Sequence, residues 1–404
     1  MGIVIVGAGA AGVQSAVALR ERGYTGRVTL VGAEPHRPYD RPPLSKAVLR
    51  GRGRPQDVVF DVDFAGLDIE VEAGVTALGL RPGDRRLVTS GGELAYESLV
   101  IATGADAVRL PGSEAAYVLR TLDDARRLRE VLDARRDVVV IGAGWIGAEF
   151  TTAAREAGCR VTVVEAGGAP LAGALPGAVS APMAEWYARA GAELRTGVGV
   201  AEVRADGVAL SDGSRVRADA VVVGVGARPA TGWLAESGIA LGARGEVLAD
   251  AFLRASAPGV YAVGDCVSFP SARYGRRLTV HHWDNASQGA RTVAAHIVGA
   301  GEAAPYDPVP YFWSEQFGHF VQYAGQHSAA DTVVRRGVPD GADGWSVCWL
   351  REDRVTAVLT VDRPRDLAQG RRLVTAGTLV DPASVADAGV ALKAAVRTAA
   401  GARS

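Results

Sequence analysis

Apolar residues cluster in short unbroken runs, and the runs recur in a fixed order. Ile3 to Val6 leads into a glycine turn and then a helical pattern, and Val138 to Ile141 does the same. Arg27-Val28-Thr29-Leu30-Val31 and Arg160-Val161-Thr162-Val163-Val164 read as strands leading to the acids Glu34 and Glu165. Ser98 to Ala102 and Ala220 to Val225 read as return strands, closing at Thr103-Gly104 and Gly226. One plan is therefore written twice: strand, glycine turn, helix, acidic strand end, return strand. Arg85 to Thr89 and Ala95 to Glu97 read as pieces of a small antiparallel sheet turning at Gly91-Gly92. From about residue 311, Val333 to Arg336, Trp345 to Leu350 and Val355 to Val361 read as strands, followed by an alanine-rich helical tail from Val385 to Ala400. The pattern predicts an α/β chain with two Rossmann-like dinucleotide-binding domains and a C-terminal α+β domain.

The two glycine turns carry the candidate chemistry. They read Gly7-Ala8-Gly9-Ala10-Ala11-Gly12 and Gly142-Ala143-Gly144-Trp145-Ile146-Gly147. In such a cradle the first glycine allows a tight turn, the second lets backbone approach a pyrophosphate, and the third lets helix pack on strand. An acid roughly 20 residues further on hydrogen-bonds a ribose. Two cradles with strand, helix and acid in place imply two dinucleotides. A carboxylate at Glu165 with no arginine after it favours NADH over a 2′-phosphorylated cofactor.

Composition narrows the class. The 404 residues suffice for two or three domains, and a net charge of -1 gives no global reason to expect a nucleic-acid or membrane partner. The three cysteines, Cys159, Cys266 and Cys348, are isolated, which predicts neither a disulfide framework nor a metal site. No apolar run reaches the length of a membrane span, and the expected location is cytoplasmic. Gly264-Asp265, at the end of the run Gly259 to Val263, is a third candidate site, although a Gly-Asp pair is equally common turn chemistry.

Three segments carry a family resemblance: Arg37-Pro38-Tyr39-Asp40-Arg41-Pro42-Pro43-Leu44-Ser45-Lys46, His282-Trp283-Asp284-Asn285-Ala286-Ser287-Gln288-Gly289, and Pro310-Tyr311-Phe312-Trp313-Ser314-Glu315-Gln316. With the two cradles, they make the chain resemble the oxygenase-coupled ferredoxin reductases over nearly its whole length. The resemblance implies a three-layer, glutathione-reductase-like fold. It implies an FAD domain from 1–110 and 228–310, an NADH domain from 111–227, and a C-terminal domain from 311–404 covering the flavin. FAD would be held by Gly7, Gly9, Ala10, Ala11, Gly12 and Glu34, with Arg41 and Lys46 on the flavin side. Ala102, Thr103, Gly104, Arg120, Gly264, Asp265, His282, Trp283 and Trp313 would complete that set. NADH would be held by Gly142, Gly144, Trp145, Ile146, Gly147, Glu149, Glu165 and Gly226.

The implied activity is hydride uptake from NADH and delivery of single electrons to a ferredoxin that feeds a monooxygenase or dioxygenase, by a monomer or homodimer. Lys46, oriented by Glu149, would stabilise charge on the reduced flavin, and Trp313 would shield the ring on the route to the acceptor. Two features depart from the family pattern. His281 stands where many relatives carry glutamate, and Ala166-Gly167-Gly168-Ala169-Pro170 lacks the basic residue common after the second acid. Arg276-Arg277, Arg335-Arg336 and Arg371-Arg372 are candidate basic patches for an acidic acceptor, or plain solvated charges. Two other classes use this scaffold. A disulfide or peroxide reductase, or an NADH oxidase, would need a reactive thiol, for which Cys266 is the candidate. A redox-sensing flavoprotein resembling apoptosis-inducing factor would turn over slowly.

Overall fold

The computed structural model describes residues 1–204, 206–299, 304–339 and 341–397. Contacts divide the chain into two compact units. The first comprises Met1–Arg109, Val118–Glu130 and Gly226–Pro308; the second comprises Leu110–Tyr117, Val131–Val225 and the chain from Val309 onward.

In the first unit, Gly2–Val6 is the middle of a parallel sheet. Val28–Gly32 and then Ile69–Ala73 lie on one side of it, and Gly92–Ile101 and then Val260–Ala262 on the other. Every residue of Gly2–Val6 and Val28–Gly32 is buried, which is why these strands are unbroken apolar runs rather than alternating ones. The small antiparallel sheet forms as expected, with Arg86 opposite Ala95 and Thr89 opposite Gly92. Its last strand does not stop, however: the continuous strand Gly92–Ile101 carries the meander at its start and the return strand at its end. The strand order reverses at Gly2–Val6, so the crevice at the carboxyl ends of Gly2–Val6 and Gly92–Ile101 is a topological switch point.

The second unit repeats this core with the parallel order Glu193–Thr196, Val161–Glu165, Val138–Ile141, Ala220–Val223. Its C-terminal part is a five-stranded antiparallel sheet in the order Tyr311–Gln316, His319–Gly325, Arg354–Val361, Trp345–Arg351, Thr332–Arg336. Both faces of that sheet are covered. Trp345, Val347 and Trp349 pack with Leu171, Leu175, Val179, Met183 and Trp186, while Cys348 and Leu350 pack with Leu367, Leu373, Val374 and Val385. Strand alternation thus gives the C-terminal segment two cores, one shared with the second nucleotide half. The expected helical tail is absent from the described residues. Pro382–Ala386 is a short helix and Leu392–Ala395 a single 3-10 turn, and residues 398–400 lie outside the described chain. Alanine propensity lost to tertiary contact, because Val385, Leu392 and Ala395 are each buried against the sheet.

Candidate functional site

Both cradles have the same construction. Gly7 and Gly142 have φ of +115° and +98°, the region open to glycine. A Cβ at Gly7 would collide with the Ala102 carbonyl, and one at Gly142 would lie 2.6 Å from the Gly224 carbonyl oxygen. A Cβ at Gly12 or Gly147 would collide with the carbonyl of Gly7 or Gly142, so these two permit the helix to pack on its strand. The middle glycines differ. Beyond Gly9 the nearest atom is Arg41 Nε at 3.9 Å, and beyond Gly144 it is the Gly224 oxygen at 3.8 Å. Both cap their helices in extended conformation, which any residue adopts. Protein packing therefore accounts for four of the glycines and not for Gly9 and Gly144, where an added Cβ would meet nothing closer than ordinary van der Waals contact, as the glycine facing a bound pyrophosphate requires.

Around the first cradle the fold gathers most of the expected residues. Gly7 abuts Ala102 and Thr103, and Gly104 has φ of +70° with its Cβ position 3.5 Å from an Arg120 terminal nitrogen. Arg120 donates to Asp265 Oδ2 at 3.0 Å, and His281 Nδ1 lies 4.0 Å from the same oxygen. Among the described residues Arg120 Nε is buried without a hydrogen-bond partner. Gly264, at φ +77°, lets its loop approach two helix starts: its Cβ position lies 2.9 Å from Ala11 Cβ and 3.9 Å from Ala286 Cβ. His282 caps the Trp283–Val298 helix, and burial pushes its imidazole down to about 4, so it is neutral at pH 7. A middle glycine that packing does not require, a guanidinium nitrogen without a partner among the described residues and a helix end fit an anionic dinucleotide.

Glu34 is reached by Tyr39, which the sequence reading did not assign, and by Arg41, which it placed on the flavin side. Tyr39 Oη donates to Glu34 Oε2 at 2.6 Å, and Arg41 donates to Glu34 Oε1 at 2.9 Å and to the Arg120 carbonyl at 2.8 Å. Tyr39 Oη also accepts from the Leu122 amide at 2.9 Å. Asp40 accepts from Trp283 Nε1 at 2.9 Å, while burial raises its carboxyl above the usual range. Three consecutive residues thus tie the acid, the Arg120 segment and the Trp283 helix together. The only local signal was polar side chains held between prolines. Lys46 follows the Pro42–Ser45 turn and lies 3.5 Å from the Pro42 carbonyl.

In the second unit Glu165 braces its own cradle. Its Oε2 accepts from the Ala143 amide at 2.8 Å and its Oε1 from the Gly167 amide at 2.7 Å. Trp145 is half-buried, Ile146 is 41% exposed, and Glu149 is buried, accepting from Ser314 Oγ at 2.7 Å. Gly226, expected with this cradle, begins the return of the chain to the first unit, where its carbonyl accepts from the Val108 amide at 3.0 Å. Trp313 lies in the second unit, stacked at 6.1 Å on Tyr311, over which Arg371 stands at 5.1 Å. Arg336 corrects the basic-patch expectation: its side chain is fully buried and paired with Asp366, because it faces inward from an edge strand.

All three cysteines are buried. Burial pushes the Cys266 thiol up to about 11 and Cys348 up to about 12, the reverse of a reactive thiolate. Cys266 donates to the Val263 carbonyl at 3.3 Å, as a small core residue does. Cys266→Ala is expected to leave NADH-driven reduction of one-electron acceptors within about twofold of wild type. A loss of most turnover would restore the thiol reading.

Paired parallel sheets with glycine cradles at their switch points define the class of oxidoreductases that handle two dinucleotides. A family model described as pyridine nucleotide-disulphide oxidoreductase matches residues 1–290, and one described as reductase C-terminal matches 311–396. The chain belongs to the pyridine nucleotide-disulphide oxidoreductase family. It is 38% identical to the 5,5′-dehydrodivanillate O-demethylase ferredoxin reductase subunit of Sphingobium sp., across 96% of this chain and 97% of that one. The crystal structure of Fdr9 is similar with a TM-score of 0.92 and 46% identity, covering 97% of this chain and 99% of that chain. The reductase of the covalent putidaredoxin reductase–putidaredoxin complex is similar with a TM-score of 0.92 and 32% identity, covering 97% of each chain. Among the described residues no helix is long and apolar enough to cross a membrane.

Proposed function

We propose that the protein is an FAD-dependent reductase that takes hydride from NADH and passes single electrons to a ferredoxin serving a monooxygenase or dioxygenase. The observation that carries the reading is the pair of cradles built alike in one chain, each with a middle glycine that the protein's own packing does not require. Relatives named as ferredoxin reductase components, matching over almost their full length, supply the acceptor.

When bound, FAD supplies the conversion between a two-electron donor and a one-electron acceptor. The Gly7–Gly12 turn and the start of the Ala10–Glu21 helix hold its pyrophosphate, Glu34 its ribose, and Arg120 with Asp265 its middle. Tyr39 and Arg41 fix the Glu34 carboxylate, whose remaining lone pairs would be free to accept from a ribose. Lys46 places a cation on the flavin side, and Glu149 serves the nicotinamide side, each from its own unit. Trp313, on the C-terminal sheet, stands on the route to the acceptor. The division into an FAD domain, an NADH domain and a C-terminal domain follows this assignment, and the protein works in the cytoplasm.

Coenzyme choice rests on Glu165, whose two oxygens each keep a lone pair for a ribose hydroxyl and whose charge opposes a 2′-phosphate. The test mixes purified FAD-loaded protein with NADH or NADPH and a panel of ferredoxins, following cytochrome c reduction at two salt concentrations. NADH is expected to exceed NADPH in kcat/KM on the order of 100-fold, with turnover that depends on ferredoxin and falls with salt. Preference for NADPH would refute the Glu165 assignment, and turnover independent of any ferredoxin would refute the acceptor.

A further inference from the structure

The helix Trp145–Glu156 starts at the second cradle with Gly144 as its cap, and one of its faces meets the strand Tyr311–Gln316 and the turn after it. The Trp145 and Phe312 rings meet edge to face, with centroids 4.6 Å apart and planes at 67°. One turn along, Glu149 Oε1 accepts from Ser314 Oγ at 2.7 Å and from the Glu315 amide at 3.3 Å. Another turn along, Thr152 Oγ1 accepts from the Phe317 amide at 2.9 Å. Residues 145, 149 and 152 share a helix face, and 312 and 314 share a strand face, so the periods of the two elements match.

The first turn of that helix has one large side chain in this contact. Of Trp145, Ile146, Gly147 and Ala148, the large side chain turned into protein is Trp145: Ile146 is 41% exposed, Gly147 has no side chain, and Ala148 is small. Phe312 in turn packs on Tyr323 at 5.6 Å, and Tyr323 on Trp349 at 5.8 Å, which roots Trp145 in the core of the C-terminal sheet.

We infer that Phe312 and Ser314, residues of the C-terminal sheet outside the glycine cradle, are positioning residues for the second nucleotide site. They fix the first helical turn at the second cradle, which the proposed function takes as the NADH site, and the inference rests on that reading. Phe312 acts through Trp145, and Ser314 acts through Glu149. The same strand carries Trp313 between these two positions, in register with Gln322 of the neighbouring strand.

The test is isothermal titration of oxidised, FAD-loaded protein with NAD+, together with thermal melts. Phe312→Ala is expected to weaken NAD+ binding about three- to tenfold, the worth of an edge-to-face aromatic pair. Phe312→Tyr, which keeps the ring, is expected to bind like wild type. Ser314→Ala is expected to weaken binding in the same direction and provides the measurement if Phe312→Ala does not fold. Cys348→Ala, on the opposite face of the sheet, is the control for general destabilisation. Folded Phe312→Ala and Ser314→Ala proteins with wild-type NAD+ affinity overturn the inference, as does an equal loss in Cys348→Ala. Wild-type protein that binds no NAD+ overturns the cradle assignment itself, an outcome distinct from both.

Discussion

Gly144→Val is expected to give a folded flavoprotein with normal FAD content whose KM for NADH rises on the order of 100-fold, as a displacement of about 1 Å at a bound substrate does. The argument depends on what surrounds that glycine. Its φ of -73° and ψ of -174° are extended backbone open to valine, and the nearest atom to an added Cβ is the Gly224 oxygen at 3.8 Å. An added Cβ at this position therefore meets no clash with the protein, and the larger side chain is expected to act on the bound pyrophosphate. Gly147→Val is the contrast, because its Cβ would collide with the Gly142 carbonyl and separate helix from strand. It is expected to lose soluble protein rather than affinity alone. Steady-state kinetics and flavin absorbance separate the two, and a Gly144→Val enzyme with wild-type KM would remove the second cradle from the reading.

Arg336→Met is expected to destabilise the second unit by about 3 kcal/mol, the cost of leaving buried carbonyls without their donor. Its fully buried guanidinium donates to Asp366 Oδ2 at 3.2 Å, to the Asp387 and Val390 carbonyls at 2.9 and 2.8 Å, and to the Val385 carbonyl. Asp366 keeps Ser346 Oγ at 2.7 Å and Arg363 Nε at 3.0 Å, so the carboxylate is not abandoned. The carbonyls of the 385–390 segment lose their donor, however, and that segment closes one face of the sheet. A urea titration that follows tryptophan emission reads the change, since Trp345 and Trp349 lie in that sheet. A shift of less than about 1 kcal/mol would mean that the segment is held by its apolar contacts alone.

Adjacent residues show where sequence reading stops. Arg335 and Arg336 are the same residue type on an edge strand with the burial of a mostly exposed segment, yet one is exposed and the other is fully enclosed. Strand alternation says that they face opposite ways, but it does not say which face another segment will cover. The alanine-rich tail fails for a related reason: composition favours helix, while the positions of Val385, Leu392 and Ala395 are dictated by the sheet they close. Glu149 lay on the expected helix, but its hydrogen bonds to residues 314 and 315 span more than 160 positions of chain. Tyr39 and Asp40 were visible as polar residues among prolines, and their partners Glu34 and Trp283 became apparent only in the fold.

The sequence alone determined the two cradles, their strands and their acids, because each depends on backbone conformation within a few residues: a left-handed glycine, a glycine in contact with its own turn, a strand buried on both faces. Only the tertiary structure decided what holds those cradles in position. It bonded Glu165 to the amides of its own turn, Tyr39 and Arg41 to Glu34, and the Trp145 helix to the C-terminal sheet. Those choices depend on which distant surfaces meet, and no local period along the chain encodes that meeting.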